Sequence, residues 1–85
     1  MSKFTVLIQP SAQKDIARLD KPDQKRVLKT LESLSQNPRP VGCKKLVGVP
    51  AWRVRVGQLR IVYLIEDEVL RVEVVRVAHR KEVYR

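Results

Sequence analysis

Apolar and polar positions alternate from Lys3 to Gln9, with Phe4, Val6 and Ile8 on one side and Thr5, Leu7 and Gln9 on the other. That period of two predicts a first strand, apolar enough to be largely buried. Pro10 and Ser11 then open a helix, Pro suiting a first turn and Ser a cap. Ala12, Ile16 and Leu19 give it one narrow apolar stripe. Asp20-Lys21-Pro22 closes that helix and starts a second, with Asp20 as its cap. The second helix sets Val27, Leu28, Leu31 and Leu34 on one side and Lys25, Arg26, Lys29 and Glu32 on the other. The pair reads as a helical hairpin.

Asn37-Pro38-Arg39-Pro40 stops the second helix, and a loop of about a dozen residues punctuated by Gly42, Gly48 and Pro50 follows. Three more strands come next. Trp52, Val54 and Val56 alternate with Arg53 and Arg55. Gly57-Gln58 turns the chain into Leu59–Ile65, and Glu66-Asp67-Glu68 turns it again into Val69–Ala78. In that last strand Leu70, Val72 and Val74 are the expected core positions. Such short turns imply antiparallel pairing. The expected class is α+β: an N-terminal strand, a helical hairpin, then an antiparallel three-strand meander in one sheet, with the helices on one face. Residues 1–85 are expected to form one domain, since so short a chain has room for one economical core.

Charge changes this picture more than size does. The formal net charge of the 85 residues is +9. A small folded protein so basic is matched to a polyanion or an acidic partner. Placement says more. Between Glu32 and Glu66 lie Arg39, Lys44, Lys45, Arg53, Arg55 and Arg60, with no acid among them. An ordinary solvated surface mixes signs to relieve repulsion, so this window reads as phosphate-facing. Arg76, His79, Arg80, Lys81 and Arg85 form a second basic group, with Glu82 its only acid. A single cysteine, Cys43, excludes an internal disulfide framework and a cysteine-based zinc site. No stretch reaches the ~20 apolar residues a membrane span needs, and the first residues do not read as a signal peptide, so a reducing cytoplasm is the expected compartment.

With Trp52, Val54 and Val56 in the core, Arg53 and Arg55 project together from the opposite face of their strand, about 7 Å apart. That spacing suits neighbouring phosphate oxygens. Arg60 opens the next strand across a two-residue turn and approaches the same face. The last strand delivers His79 and Arg80, then Tyr84, to a sheet end. Arg76 shares its parity with Val72 and Val74 and is left out of the site. His79 titrates near neutrality, so it is either a general acid–base or a strand-end structural residue. Trp52 and Tyr63 share the core parity of their strands and are assigned to packing, and Lys25, Arg26 and Lys29 to a solvated helix face.

Four segments then carry a resemblance: Lys44-Lys45-Leu46 followed by Gly48; Trp52-Arg53-Val54-Arg55-Val56-Gly57; Leu59-Arg60-Ile61-Val62-Tyr63; and Val77-Ala78-His79-Arg80-Lys81-Glu82-Val83-Tyr84. In order and spacing the chain resembles the RelE/ParE superfamily of bacterial toxins, most closely the RelE-type mRNA interferases. The resemblance implies a type II toxin that cuts mRNA in the ribosomal A site, by attack of a ribose 2′-hydroxyl on the adjacent phosphate, without metal or cofactor. It implies Arg60, Arg80 and Tyr84 as catalytic residues, with His79 beside them. Arg53 and Arg55 stand where some relatives have lysines, and Lys44 and Lys45 would touch RNA. It also implies a cognate antitoxin that neutralises the toxin and brings the complex to operator DNA. Two other readings stay open: a ParE-like gyrase inhibitor with the same fold and no nuclease activity, and a plain nucleic-acid-binding module.

Overall fold

The computed structural model of the protein describes residues 3–79. The elements run β1 (Thr5–Ile8), α1 (Pro10–Ala17), α2 (Lys21–Gln36), β2 (Lys44–Lys45), β3 (Trp52–Val56), β4 (Leu59–Glu66) and β5 (Arg71–His79), with a short 3₁₀ turn at Asp67–Val69 before β5. The five strands form one sheet in the order β1-β5-β4-β3-β2. β1 runs parallel to β5, and every other pairing is antiparallel. The expected α+β class therefore holds, with a mixed sheet. The expected meander gains a two-residue edge strand, because Lys44 and Lys45 pair with Arg53 and Trp52.

Both helices cover one face. Ala12 from α1 and Val27, Leu31 and Leu34 from α2 join Val54, Leu59, Ile61, Tyr63, Val72, Val74 and Val77 in a single apolar cluster. The α2 stripe recurs at i, i+4 and i+7. Leu28, expected inside, falls off that stripe and is 52% exposed. Asp20 caps α2 as expected, its Oδ1 accepting from the Asp23 N–H at 3.3 Å. Ser11 does not cap α1. Its hydroxyl donates to the Val75 carbonyl at 2.7 Å, and Gln9 holds the cap position without a side-chain bond.

The Val75 position explains a second correction. Val62 stands opposite Arg76 and Tyr63 opposite Val74, so Val75 is an extra residue in β5. A bulge of this kind reverses the inside–outside alternation beyond it. Val77 is consequently buried and Arg76 exposed, whereas simple parity put Arg76 with the core. Asp15 secures the bulge: its Oδ2 accepts from Arg76 Nε at 2.8 Å and from the Val77 N–H at 2.9 Å. Leu70, expected as a core position, instead ends the 3₁₀ turn in the left-handed region (φ 50°) and is 37% exposed. Among the described residues no helix is long and apolar enough to cross a membrane.

Candidate nucleic-acid interface

Directly paired residues on neighbouring strands present their side chains to the same side of a sheet. On the side away from the helices, one row reads Lys44, Arg53, Val62, Arg76 and the next Arg55, Arg60, Ala78. The register thus sets Lys44 against Arg53 and Arg55 against Arg60, two like-charged pairs on adjacent rows. Paired residues lie about 5 Å apart at Cα, and such like-charged pairs are destabilising in isolation. Arg76 is ion-paired with Asp15 of α1 at 2.8 Å.

Exposure differs sharply within this group. Arg53 is 8% exposed and Arg60 only 2%, while Arg55 and Lys44 are open to solvent. Guanidinium groups stay charged under all ordinary conditions. Positive charge held out of water acts on an anion through a lower effective dielectric and is felt more strongly. The carboxylates of this face gather at its other end. Glu66 stands opposite Arg71 and makes a bidentate ion pair with it (2.9 and 3.0 Å from Arg71 Nη2), which holds the Glu66 carboxyl below the usual range. Glu66 lies four positions along β4 from Val62, about 13 Å and more than a physiological Debye length. Glu73 lies one row nearer, where the Gln9 side-chain amide donates to it at 3.4 Å. The face is therefore polarised along the strands, with its positive end at the Arg55–Arg60 row.

The structure brings Arg53, Arg55 and Arg60 to one face as the sequence predicts, and β2 adds Lys44 to them. It does not bring Lys45 or His79 to them. Lys45 pairs with Trp52 and His79 with Leu59, both on the helix side. The bulge at Val75 is what turns His79 away from Arg60. Arg80 and Tyr84 lie outside the described residues.

Trp52 and Tyr63 are structural, as expected. Tyr63 is fully buried and donates its hydroxyl to the Pro38 carbonyl at 2.8 Å. Burial, reinforced by nearby Cys43, pushes its phenol well above the ordinary range. Trp52 packs against the core and carries the Arg39 guanidinium 5.2 Å above its ring. Arg39 also makes a bidentate ion pair with Asp67 (3.1 and 2.8 Å), which raises the guanidinium and holds Asp67 below the usual carboxylate range. Sequence reasoning gave Arg39 no specific task. It clasps the start of the long loop to the far end of β4, and with Tyr63 it fixes where β2 brings Lys44. The flanking Pro38 and Pro40 were the available signal, since they mark a rigid segment.

The sequence model for the ParE toxin of type II toxin–antitoxin systems (parDE) matches residues 6–84. The chain belongs to the ParE toxin family. Within the wider RelE/ParE superfamily the toxin is structurally similar to RelE proteins. It superposes on a chain of the RelBE2 toxin–antitoxin complex of Mycobacterium tuberculosis with a TM-score of 0.83 at 28% identity, over 92% of this chain and 99% of that one. The isolated RelE toxin of E. coli gives 0.78 at 27% identity, over 98% and 92%. The intact E. coli RelBE complex gives 0.78 at 25% identity, over 92% and 96%. No curated protein sequence matches the toxin.

Proposed function

We propose that this toxin is a ribosome-dependent mRNA endonuclease of the RelE type, acting in the cytoplasm. One observation carries the reading: the Arg55–Arg60 pair, flanked by Lys44 and Arg53, leaves two rows of like charge side by side at one end of a sheet face. A phosphodiester between those rows relieves their repulsion and is gripped by planar, bidentate donors. In the reaction, the 2′-oxygen attacks the adjacent phosphorus as its proton leaves to a base. The P–O5′ bond breaks and the departing oxygen takes up a proton. The products carry a 2′,3′-cyclic phosphate and a 5′-hydroxyl. Arg55 and Arg60 hold the phosphate and meet the charge that builds on it, and donors fixed before the reaction stabilise that charge without reorganising. Arg53 and Lys44 hold the neighbouring stretch of backbone. By resemblance Arg80 adds a further cation and Tyr84 takes part in proton transfer. His79, facing the helix side, is assigned no proton-transfer step.

A cognate antitoxin is the natural regulator, since the RelBE structures similar to this toxin are toxin–antitoxin complexes. A partly disordered acidic segment folding over so basic a chain would mask its charge, and the complex would reach operator DNA through the antitoxin.

The family match favours a second reading, a ParE-like gyrase inhibitor with no nuclease activity. Translation of a defined message by purified components separates the two. The first reading predicts new 5′-hydroxyl ends at A-site codons, only when ribosomes are present. Intact message together with blocked gyrase supercoiling would establish the second instead.

A further inference from the structure

Beside the cation rows lies an open pocket of about 310 Å³, lined by Val41, Gly42, Lys44, Arg53, Val54 and Arg55. Its rim is built. The Cys43 N–H donates to the Pro40 carbonyl at 3.1 Å, closing a turn over Pro40–Cys43. Gly42 takes φ +93° in that turn, the positive value a type II turn needs at its third residue. The turn leaves Val41 at the outer corner, fully exposed. A β-branched apolar side chain held in water beside three cations serves neither solubility nor the core. Across the pocket, Arg53 and Arg55 supply the donors for an anion. An exposed apolar side chain at the rim of a pocket lined by guanidiniums fits one chemical class: a nucleotide, its phosphate on the arginines and its base against Val41.

Resting on the reading above, we infer that this pocket takes the nucleotide flanking the scissile phosphate, and that Val41 contacts its base and biases which base is accepted. β2 lies two strand spacings from β4, roughly 10 Å, so the pocket lies within reach of a backbone whose scissile phosphate sits at Arg55 and Arg60. Val41 carries no polar group to read a base edge, so the preference it imposes is one of size and stacking.

The test uses the full-length toxin and two small probes of equal phosphate charge: adenosine 3′,5′-bisphosphate and, as the base-free control, 1-deoxyribose 3,5-bisphosphate. The inference predicts that the adenosine bisphosphate shifts the Val41 and Gly42 amide resonances and binds about tenfold or more tightly than the base-free one. Val41→Asp should remove that advantage while leaving the thermal melt unchanged, because residue 41 packs against nothing. Val41→Leu should keep it and alter the base distribution around mapped cleavage sites. Equal binding of the two probes, or an adenosine advantage that survives Val41→Asp, overturns the inference. This outcome is separable from the nuclease reading. Cleavage with no probe discrimination sinks the pocket alone, whereas probe discrimination without ribosome-dependent cleavage sinks the nuclease and leaves a nucleotide site.

Discussion

Arg55 faces Arg60 across the β3–β4 ladder, an opposition of like charges that the proposed reading assigns to a bound phosphate. Arg55 is the exposed member, so it can be removed without opening the core. Arg55→Ala should leave folding stability unchanged or raised by up to about 0.5 kcal/mol, read by urea unfolding. The same change should weaken RNA binding and lower the slope of log K against log salt by about 0.7, one single-strand phosphate contact. A site tuned for function at the expense of stability behaves in this way. That these arginines share a face was legible from the alternation of Trp52 to Val56. The near-complete burial of Arg53 and Arg60 was not, because alternation fixes a side chain's direction and says nothing about what packs over it.

At the scale of elements, the strands and helices followed from periodicity, and the departures have local causes. β2 escaped notice because two residues are too few to show a period, and its pairing depends on a loop clasped from elsewhere. The bulge escaped notice because Val74 and Val75 are equally good strand residues, with no glycine to mark the break. Its consequence reached the site, since it is the bulge that separates His79 from Arg60. Asp15→Ala leaves the Val77 N–H without its acceptor, so this variant should lose about 1–2 kcal/mol in denaturant unfolding. The loop clasp titrates. Arg39 lowers the folded-state pKa of Asp67 beneath its ordinary 3.8, so the clasp's contribution is complete above that value and is lost as pH falls through the lowered one. Wild type should therefore melt above Asp67→Asn by a constant margin from neutrality down to about pH 5. The margin should close below 3.8, as thermal melts across that range will show.

For the whole molecule, the net charge of +9 has an address. The helix face interleaves its bases with Asp15, Asp20, Asp23 and Glu32, and Asp15 and Asp23 are engaged with Arg76 and Arg26. The sheet face gathers Lys44, Arg53, Arg55 and Arg60 at one end, while at the other Arg71 offsets Glu66. Under the proposed reading this one face holds the message and the ribosome positions it. The most direct measurement is the rate of cleavage of a ribosome-bound message by wild type, Arg55→Ala and Arg60→Ala, with folding checked by thermal melting. Arg60→Ala should lose about 10²-fold or more, and the exposed Arg55→Ala less. Folded Arg60→Ala cutting the same codons at the wild-type rate would contradict the proposed reading.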